Sequence, residues 1–183
     1  MTVLECVKAA AVEVGLKEDV FGYLENGEKK GEEATSNLVR CFNLVENELA
    51  LDYLPLFFED ELESETGAVY FSELTKAPVR IIKVTDGFGQ ELTFSLFPEY
   101  LKTQAGKIKV RYSYSPTEKG IEVTSDFLLY ASVRLFAYGM AAEYFAASGL
   151  FEEAAVWDRK YKDAIQAAYK RKPNKKICSR RWL

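Results

Sequence analysis

The segment FFEDELESE, residues 57–65, carries five carboxylates in nine positions. Paired carboxylates can work as general acid and base, and clustered ones can hold Mg²⁺. Both tasks need fixed, partly desolvated side chains, whereas a contiguous acidic run is typical of a solvated surface segment. We therefore expect a loop without a catalytic or metal role for these residues: Glu59, Asp60, Glu61, Glu63 and Glu65.

A glycine-rich stretch, Gly87-Phe88-Gly89, superficially resembles a phosphate-binding loop. A phosphate cradle requires a helix N-terminus directly after the glycines. Here an alternating, strand-like segment follows, so the pattern predicts a hairpin turn.

Basic residues alternate along a third segment, where Lys107, Lys109 and Arg111 precede Tyr112 and Tyr114. Cations interleaved with aromatic rings can bind single-stranded nucleic acid. Strand geometry, however, places the two tyrosines on the face opposite the cations, where they would be core. A small nucleic-acid-binding module that uses this basic strand and the basic C-terminal tail is the alternative hypothesis for function.

The chain has no histidine, which removes the commonest general base and the commonest metal ligand. Cys6 and Cys41 lie beside apolar helical positions and are predicted to be small core residues, and with Cys178 they form no CxxC pair. We predict a protein that is not an enzyme and has no catalytic residue, metal or cofactor.

Composition predicts a folded, soluble chain, because 48% of its 183 residues are hydrophobic and 28% are charged. No apolar run reaches the roughly 20 residues of a membrane span, and the N-terminus does not resemble a signal peptide. Residues 170–183 hold seven of the 24 basic residues and no acidic one, so residues 1–169 hold 17 basic and 28 acidic residues. An acidic body therefore carries a basic tail.

Apolar spacing predicts helices at both ends of the chain. The first runs from Val3 to Gly15, a short one covers residues 18–25, and a long amphipathic one covers residues 32–53. The charged stretch between the last two reads as a loop. Ser125 and Asp126 mark the predicted start of a helical hairpin, residues 126–147 and 150–171, on which the long helix should pack. Residues 138–165 are then mainly its core.

Strand-like alternation is confined to the middle of the chain, at residues 79–84, 91–96 and 107–114. The predicted fold is α+β, a mainly helical bundle with a small antiparallel sheet inserted between the N-terminal and C-terminal helices. Residues 1–172 form a single helical domain with the insertion at about 55–118, and residues 173–183 form an extended C-terminal docking tail.

The element order and several segments resemble the head-to-tail adaptor, or connector, proteins of tailed bacteriophages. The segments are ELALDYLPL, PVRIIKVTDGFGQEL, GKIKVRYSYSP, LLYASVRLFAYGMAAEYFAASGLFEEAAVWDRKYKDAI and the closing SRRWL. The resemblance implies a virion protein of the neck, assembled in the host cytoplasm as a ring of about twelve copies between portal and tail. A stopper or tail-completion protein of the same neck remains open.

The resemblance also implies the partners: the chain itself, the portal protein, tail or nozzle proteins, and double-stranded DNA that passes through the lumen without specific binding. No membrane is involved. An acidic body suits a channel through which DNA slides, since attraction to DNA phosphates comes from lysine and arginine. By the same resemblance the tail docks on the portal or a neighbouring subunit through seven residues: Lys175, Lys176, Ile177, Arg180, Arg181, Trp182 and Leu183.

Overall fold

The computed structural model describes residues 1–127 and 131–170, apart from the side chain of Lys170. Within this part of the chain lie five α-helices and six β-strands, and the fold is α+β with antiparallel sheets, as predicted. The chain divides into two compact units. Met1–Val45 and the described part of Lys119–Leu183 make the first, and Glu46–Glu118 makes the second.

The first unit begins with α1 (Val3–Glu13), α2 (Lys17–Asn26) and the part of α3 (Glu32–Glu48) that ends at Val45. Thr2 and Glu5 form a reciprocal capping box at the start of α1. Gly27 ends α2 with a φ of 71°, a left-handed conformation that glycine adopts at little cost. These helices confirm the predicted pattern, although the expected loop between α2 and α3 contains a short 3₁₀ turn, Lys29–Gly31.

The C-terminal hairpin consists of α4 (Val133–Ala147) and α5 (Phe151–Lys170). Phe42 of α3 stacks on Phe136 of α4, with ring centroids 4.9 Å apart. Gly139 allows a close approach, since a Cβ there would stand 2.9 Å from Val45 and 3.0 Å from Tyr161. The predicted packing of the long helix on this hairpin is thus confirmed for its part up to Val45.

The predicted start of the hairpin at Ser125 and Asp126 is wrong, because α4 begins at Val133. Ser132 caps the helix, and its hydroxyl accepts a hydrogen bond from the Leu135 amide at 3.3 Å. Ser125 instead is buried, and its amide donates to the Met1 carbonyl at 3.2 Å.

The second unit contains two three-stranded antiparallel sheets. The larger has the order β1-β6-β3, with β1 at Leu56–Ser64, β3 at Pro78–Asp86 and β6 at Gly106–Tyr114. The smaller has the order β2-β5-β4, with β2 at Ala68–Tyr70, β4 at Ser95–Leu96 and β5 at Tyr100–Lys102. A π-helical turn, Leu49–Tyr53, precedes β1, and a 3₁₀ turn, Phe71–Glu73, follows β2.

One hydrophobic cluster draws side chains from both sheets, including Val69 and Leu101 of the smaller sheet and Val110 and Tyr112 of the larger. The predicted strand at 107–114 is confirmed with its predicted faces, since Ile108, Val110, Tyr112 and Tyr114 are buried. Two irregularities in the register of β3 break the alternation predicted there. As a result Ile81 and Val84 are both buried, and Ile82 between them is exposed.

Two other predictions for this region need correction. The acidic run is not a loop: residues 57–64 belong to β1, and Asp60 is buried because Thr75 and Tyr112 donate hydrogen bonds to its carboxylate. The strand predicted at 91–96 is reduced to β4, although Leu92 and Phe94 still pack against the core.

Candidate functional site

The seven tail residues that the resemblance singles out lie outside the described residues, as does Cys178. The candidate surfaces that the structure provides are therefore on the two units themselves.

The outer face of the larger sheet carries the acidic and basic residues singled out from the sequence, side by side. The register pairs Glu59 with Arg111, Glu61 with Lys109 and Glu63 with Lys107. Lys109 donates to the Glu61 carboxylate, and this hydrogen bond and charge raise the pKa of the lysine. We call these six residues the charged face. The pairing of the β1 glutamates with the β6 cations could not be predicted from the sequence, because Glu61 and Lys109 lie 48 residues apart.

The charged face makes β6 less suited to binding single-stranded nucleic acid than its sequence suggests. A single-strand binder needs a continuous positive groove with accessible rings. On β6 each cation has a carboxylate beside it on β1, and Tyr112 and Tyr114 are buried on the other side of the sheet. The Arg111 guanidinium also lies over the ring of Phe57, 5.5 Å from its centroid.

The Gly87-Phe88-Gly89 stretch forms the predicted hairpin turn. Both Phe88 and Gln90 donate backbone hydrogen bonds to the Asp86 carboxylate, at 2.9 and 2.8 Å. The turn leaves the ring of Phe88 95% exposed at its tip.

A row of aromatic rings on the smaller sheet has a half-buried Tyr100 between two exposed rings. Tyr100 of β5 stacks on Phe97 with 4.7 Å between ring centroids, and Tyr70 of β2 lies 5.5 Å from Tyr100. This row was not predictable from the sequence, because β2 and β5 are only three residues long.

The start of α5 exposes an apolar residue that belongs to a buried stripe. Ala154, Tyr161, Ile165 and Ala168 are buried at helical spacing along α5, and Phe151 continues that stripe by one turn. Phe151 is nevertheless 72% exposed, and the preceding Leu150 is also exposed. We call Leu150 and Phe151 the apolar hairpin end.

Two of the open grooves on the first unit are lined by more than one helix. One of about 410 Å³ runs along α3 and the end of α4, and Arg40, Leu44, Glu143 and Tyr144 contribute to its lining. The other, of about 450 Å³, lies on the hairpin, where Tyr138, Lys160 and Ala164 are among its lining residues.

The second groove has an aromatic and cationic edge. Tyr138 lies 5.6 Å from Trp157 between ring centroids, and Lys160 Nζ stands 3.7 Å above the Trp157 ring. Arg134 covers Tyr138 and donates to its hydroxyl at 2.5 Å. Lys160 Nζ also lies 5.7 Å from the centroid of the Tyr138 ring, so this contact and the Tyr138–Trp157 ring pair join α4 to α5.

Cys6 and Cys41 are buried, which confirms their predicted place in the core. Burial, together with the nearby Glu143 carboxylate, raises the pKa of Cys41 to about 11. A thiol with such a pKa stays protonated at neutral pH and is a poor nucleophile.

Within residues 1–127 and 131–170, no three acidic or cysteine side chains come together in a way that could hold a metal ion. In the same part of the chain, no helix has the length and apolar character of a membrane span.

Comparison of the sequence with models of known protein families and with curated proteins gave no match.

Proposed function

We propose that this chain is a structural protein of the neck of a tailed phage particle, where copies of it assemble as a ring between portal and tail. The sequence resemblance to head-to-tail adaptors suggests the location. The exposed ring of Phe151 is the observation that carries the assembly part of the proposal.

Phe151 supports assembly because its exposure conflicts with its position on the helix. The buried stripe of α5 is apolar where α4 covers it, and Phe151 lies on the same stripe one turn before Ala154. Leaving a phenylalanine in water forgoes about 2 kcal/mol of burial free energy. Covering the apolar hairpin end with another subunit recovers that free energy, and exposed apolar groups of this kind mark contact surfaces.

The charge distribution fits the proposed place in the particle. Residues 1–169 hold 17 basic and 28 acidic residues, and each cation of β6 has an acidic neighbour on β1. Such a body attracts the DNA backbone weakly, so duplex DNA can pass through a ring lumen without being held.

In this account the basic tail, with its terminal Trp182 and Leu183, docks on the portal or on a neighbouring subunit. Tryptophan and arginine are enriched in the contacts that dominate binding energy between proteins. The proposed partners are the portal, further copies of the chain, and tail or nozzle proteins.

The experiment compares the wild-type chain with Phe151→Glu in sedimentation velocity, alone and with the portal protein of the same phage. A glutamate in the first turn of a helix is favourable, so the variant should fold. We expect it to remain monomeric under conditions in which the wild type assembles.

Val12→Glu is the matched control, because Val12 is an exposed apolar residue of α1 in the same unit. It should assemble like the wild type. Full assembly of Phe151→Glu would remove the apolar hairpin end from the proposal.

A further inference from the structure

The strand β1 has one edge that no other strand occupies. In the order β1-β6-β3 it is the end strand, and it pairs with β6 over its whole length, Leu56–Ser64, without a break in register. Among the described residues no backbone hydrogen bond joins its opposite edge to another strand. An end strand of this kind presents a row of amide and carbonyl groups to which a further strand can pair.

The other end of the same sheet is blocked. Strand β3 begins at Pro78 and contains two register irregularities. Its last residues are already covered, because the Leu92 amide donates to the Val84 carbonyl at 2.9 Å and the Asp86 amide to the Gln90 carbonyl at 2.9 Å. Proline, bulges and a covering segment are devices by which proteins prevent strand addition. The fold applies all three to β3, whereas β1 carries charged residues instead: its outward glutamates and the inward-pointing Asp60.

The side chains of β1 define which strand fits there. Its exposed side carries Glu59, Glu61 and Glu63, and on the core side Phe58 and Leu62 remain half-buried. A strand added at the free edge places alternate side chains beside the glutamates and beside the two apolar residues. Basic residues alternating with apolar ones satisfy both sides.

Strand β6 shows that this pattern pairs with β1. Its sequence from Lys107 to Tyr112 alternates basic and apolar residues, with the cations opposite the glutamates and Ile108 opposite Leu62. The ion pair between Lys109 and Glu61 forms in this arrangement. A second copy of β1 is unsuited to the free edge, since it would bring two acidic rows together.

We propose that the free edge of β1 accepts an extended segment of a partner protein in which lysine or arginine alternates with apolar residues. Backbone pairing supplies affinity, and the three glutamates with Phe58 and Leu62 supply selectivity. This strand-acceptor site goes beyond the proposed ring and does not depend on it.

The test uses the full chain and two fluorescein-labelled peptides in fluorescence anisotropy. The first peptide, GKIKVRYSY, copies residues 106–114, and the second, GKKRIVYSY, has the same composition with the cations consecutive. We expect the alternating peptide to bind about tenfold more tightly than the rearranged one, because only it matches both sides of the strand. Equal affinities would overturn the proposal, since they would reflect net charge alone.

A variant and a second readout locate the site. Glu61→Lys should weaken binding of the alternating peptide by about tenfold. Glu65→Lys, an equal charge change just beyond β1, should leave it nearly unchanged. In hydrogen exchange, the bound peptide should slow β1 amides and leave β6 protected. Loss of protection in β6 would mean that the peptide replaces β6, and unchanged affinity of Glu61→Lys would mean that it binds elsewhere. Either result contradicts the proposal.

Discussion

The Tyr112 hydroxyl donates a hydrogen bond to the Asp60 carboxylate at 2.7 Å and joins the middle of β6 to the middle of β1 on the buried side of the sheet. Thr75 adds two more hydrogen bonds to the same carboxylate, from its amide at 2.8 Å and its hydroxyl at 2.6 Å. The Lys76 amide donates to Tyr112 at 3.0 Å. This network fixes the segment before β3 onto the two strands and satisfies the charged group inside the sheet unit.

Breaking this network should destabilise the sheet unit. In Asp60→Asn the hydrogen bonds from Tyr112 and Thr75 lose their charged acceptor, and the amide nitrogen reverses the bond with the Thr75 hydroxyl. We expect the free energy of unfolding to fall by about 1–3 kcal/mol in urea denaturation followed by near-ultraviolet circular dichroism. The control Glu61→Gln, on the exposed side, should change it by less than about 1 kcal/mol. Equal effects of the two substitutions would argue against the network.

Tyr112 should titrate apart from the exposed tyrosines. Burial, and then the hydrogen bond to Asp60, raise its pKa from 10.0 to about 12. Because the folded pKa is above the unfolded one, its contribution to stability is complete below pH 10 and is lost as the pH rises towards 12. Tyrosinate absorbance of the folded protein should include Tyr112 as a late-titrating group. Tyr112→Phe should lack that group, whereas Tyr70→Phe, which removes the hydroxyl of an exposed tyrosine, should retain it.

Gly139 should be essential to the packing of the first unit. A Cβ at this position would stand 2.9 Å from Val45, closer than side-chain carbons approach, so Gly139→Ala should cost about 1–3 kcal/mol despite the better helix propensity of alanine. Gly22 is the control, because a Cβ there meets only the flexible end of Glu28. Gly22→Ala should be neutral or stabilising by up to about 1 kcal/mol. Thermal unfolding measures both, and a neutral Gly139→Ala would contradict the close helix approach.

The sequence predicted the helices and β6 because each carries a local periodicity, with glycine or proline at the ends. It failed at β1, where the alternation of Phe58, Asp60 and Leu62 is present but Asp60 reads as a surface residue. The burial of Asp60 depends on partners 15 and 52 residues away, which a local pattern does not contain. The strands β2 and β5 are too short to show a period.

The candidate surfaces were likewise predictable only in part: the sequence showed which residues they contain but not how those residues are paired or exposed. The composition of the charged face was visible in the sequence, but its pairing depends on the register of two distant strands. The exposure of Phe151 was also not predictable, since its spacing along α5 matches that of the buried residues. Phe151 differs from the buried residues of α5 only in that α4 does not cover it.

Removal of the C-terminal tail separates folding from docking. A chain ending at residue 172 should keep the wild-type circular dichroism spectrum and thermal midpoint, because the core formed by the described residues of each unit is left intact. It should lose stable binding to the portal in a pull-down or size-exclusion assay. Trp182→Ala alone should weaken binding, whereas Asn174→Ala should not. A truncated chain that still binds the portal would exclude the tail from docking.

The native mass of the purified chain, measured over a range of concentrations alone and with the portal protein, tests the central claim most directly. The account predicts a ring of many copies, formed alone or on the portal, and visible by negative-stain electron microscopy. A monomer at every concentration that does not associate with the portal would contradict it.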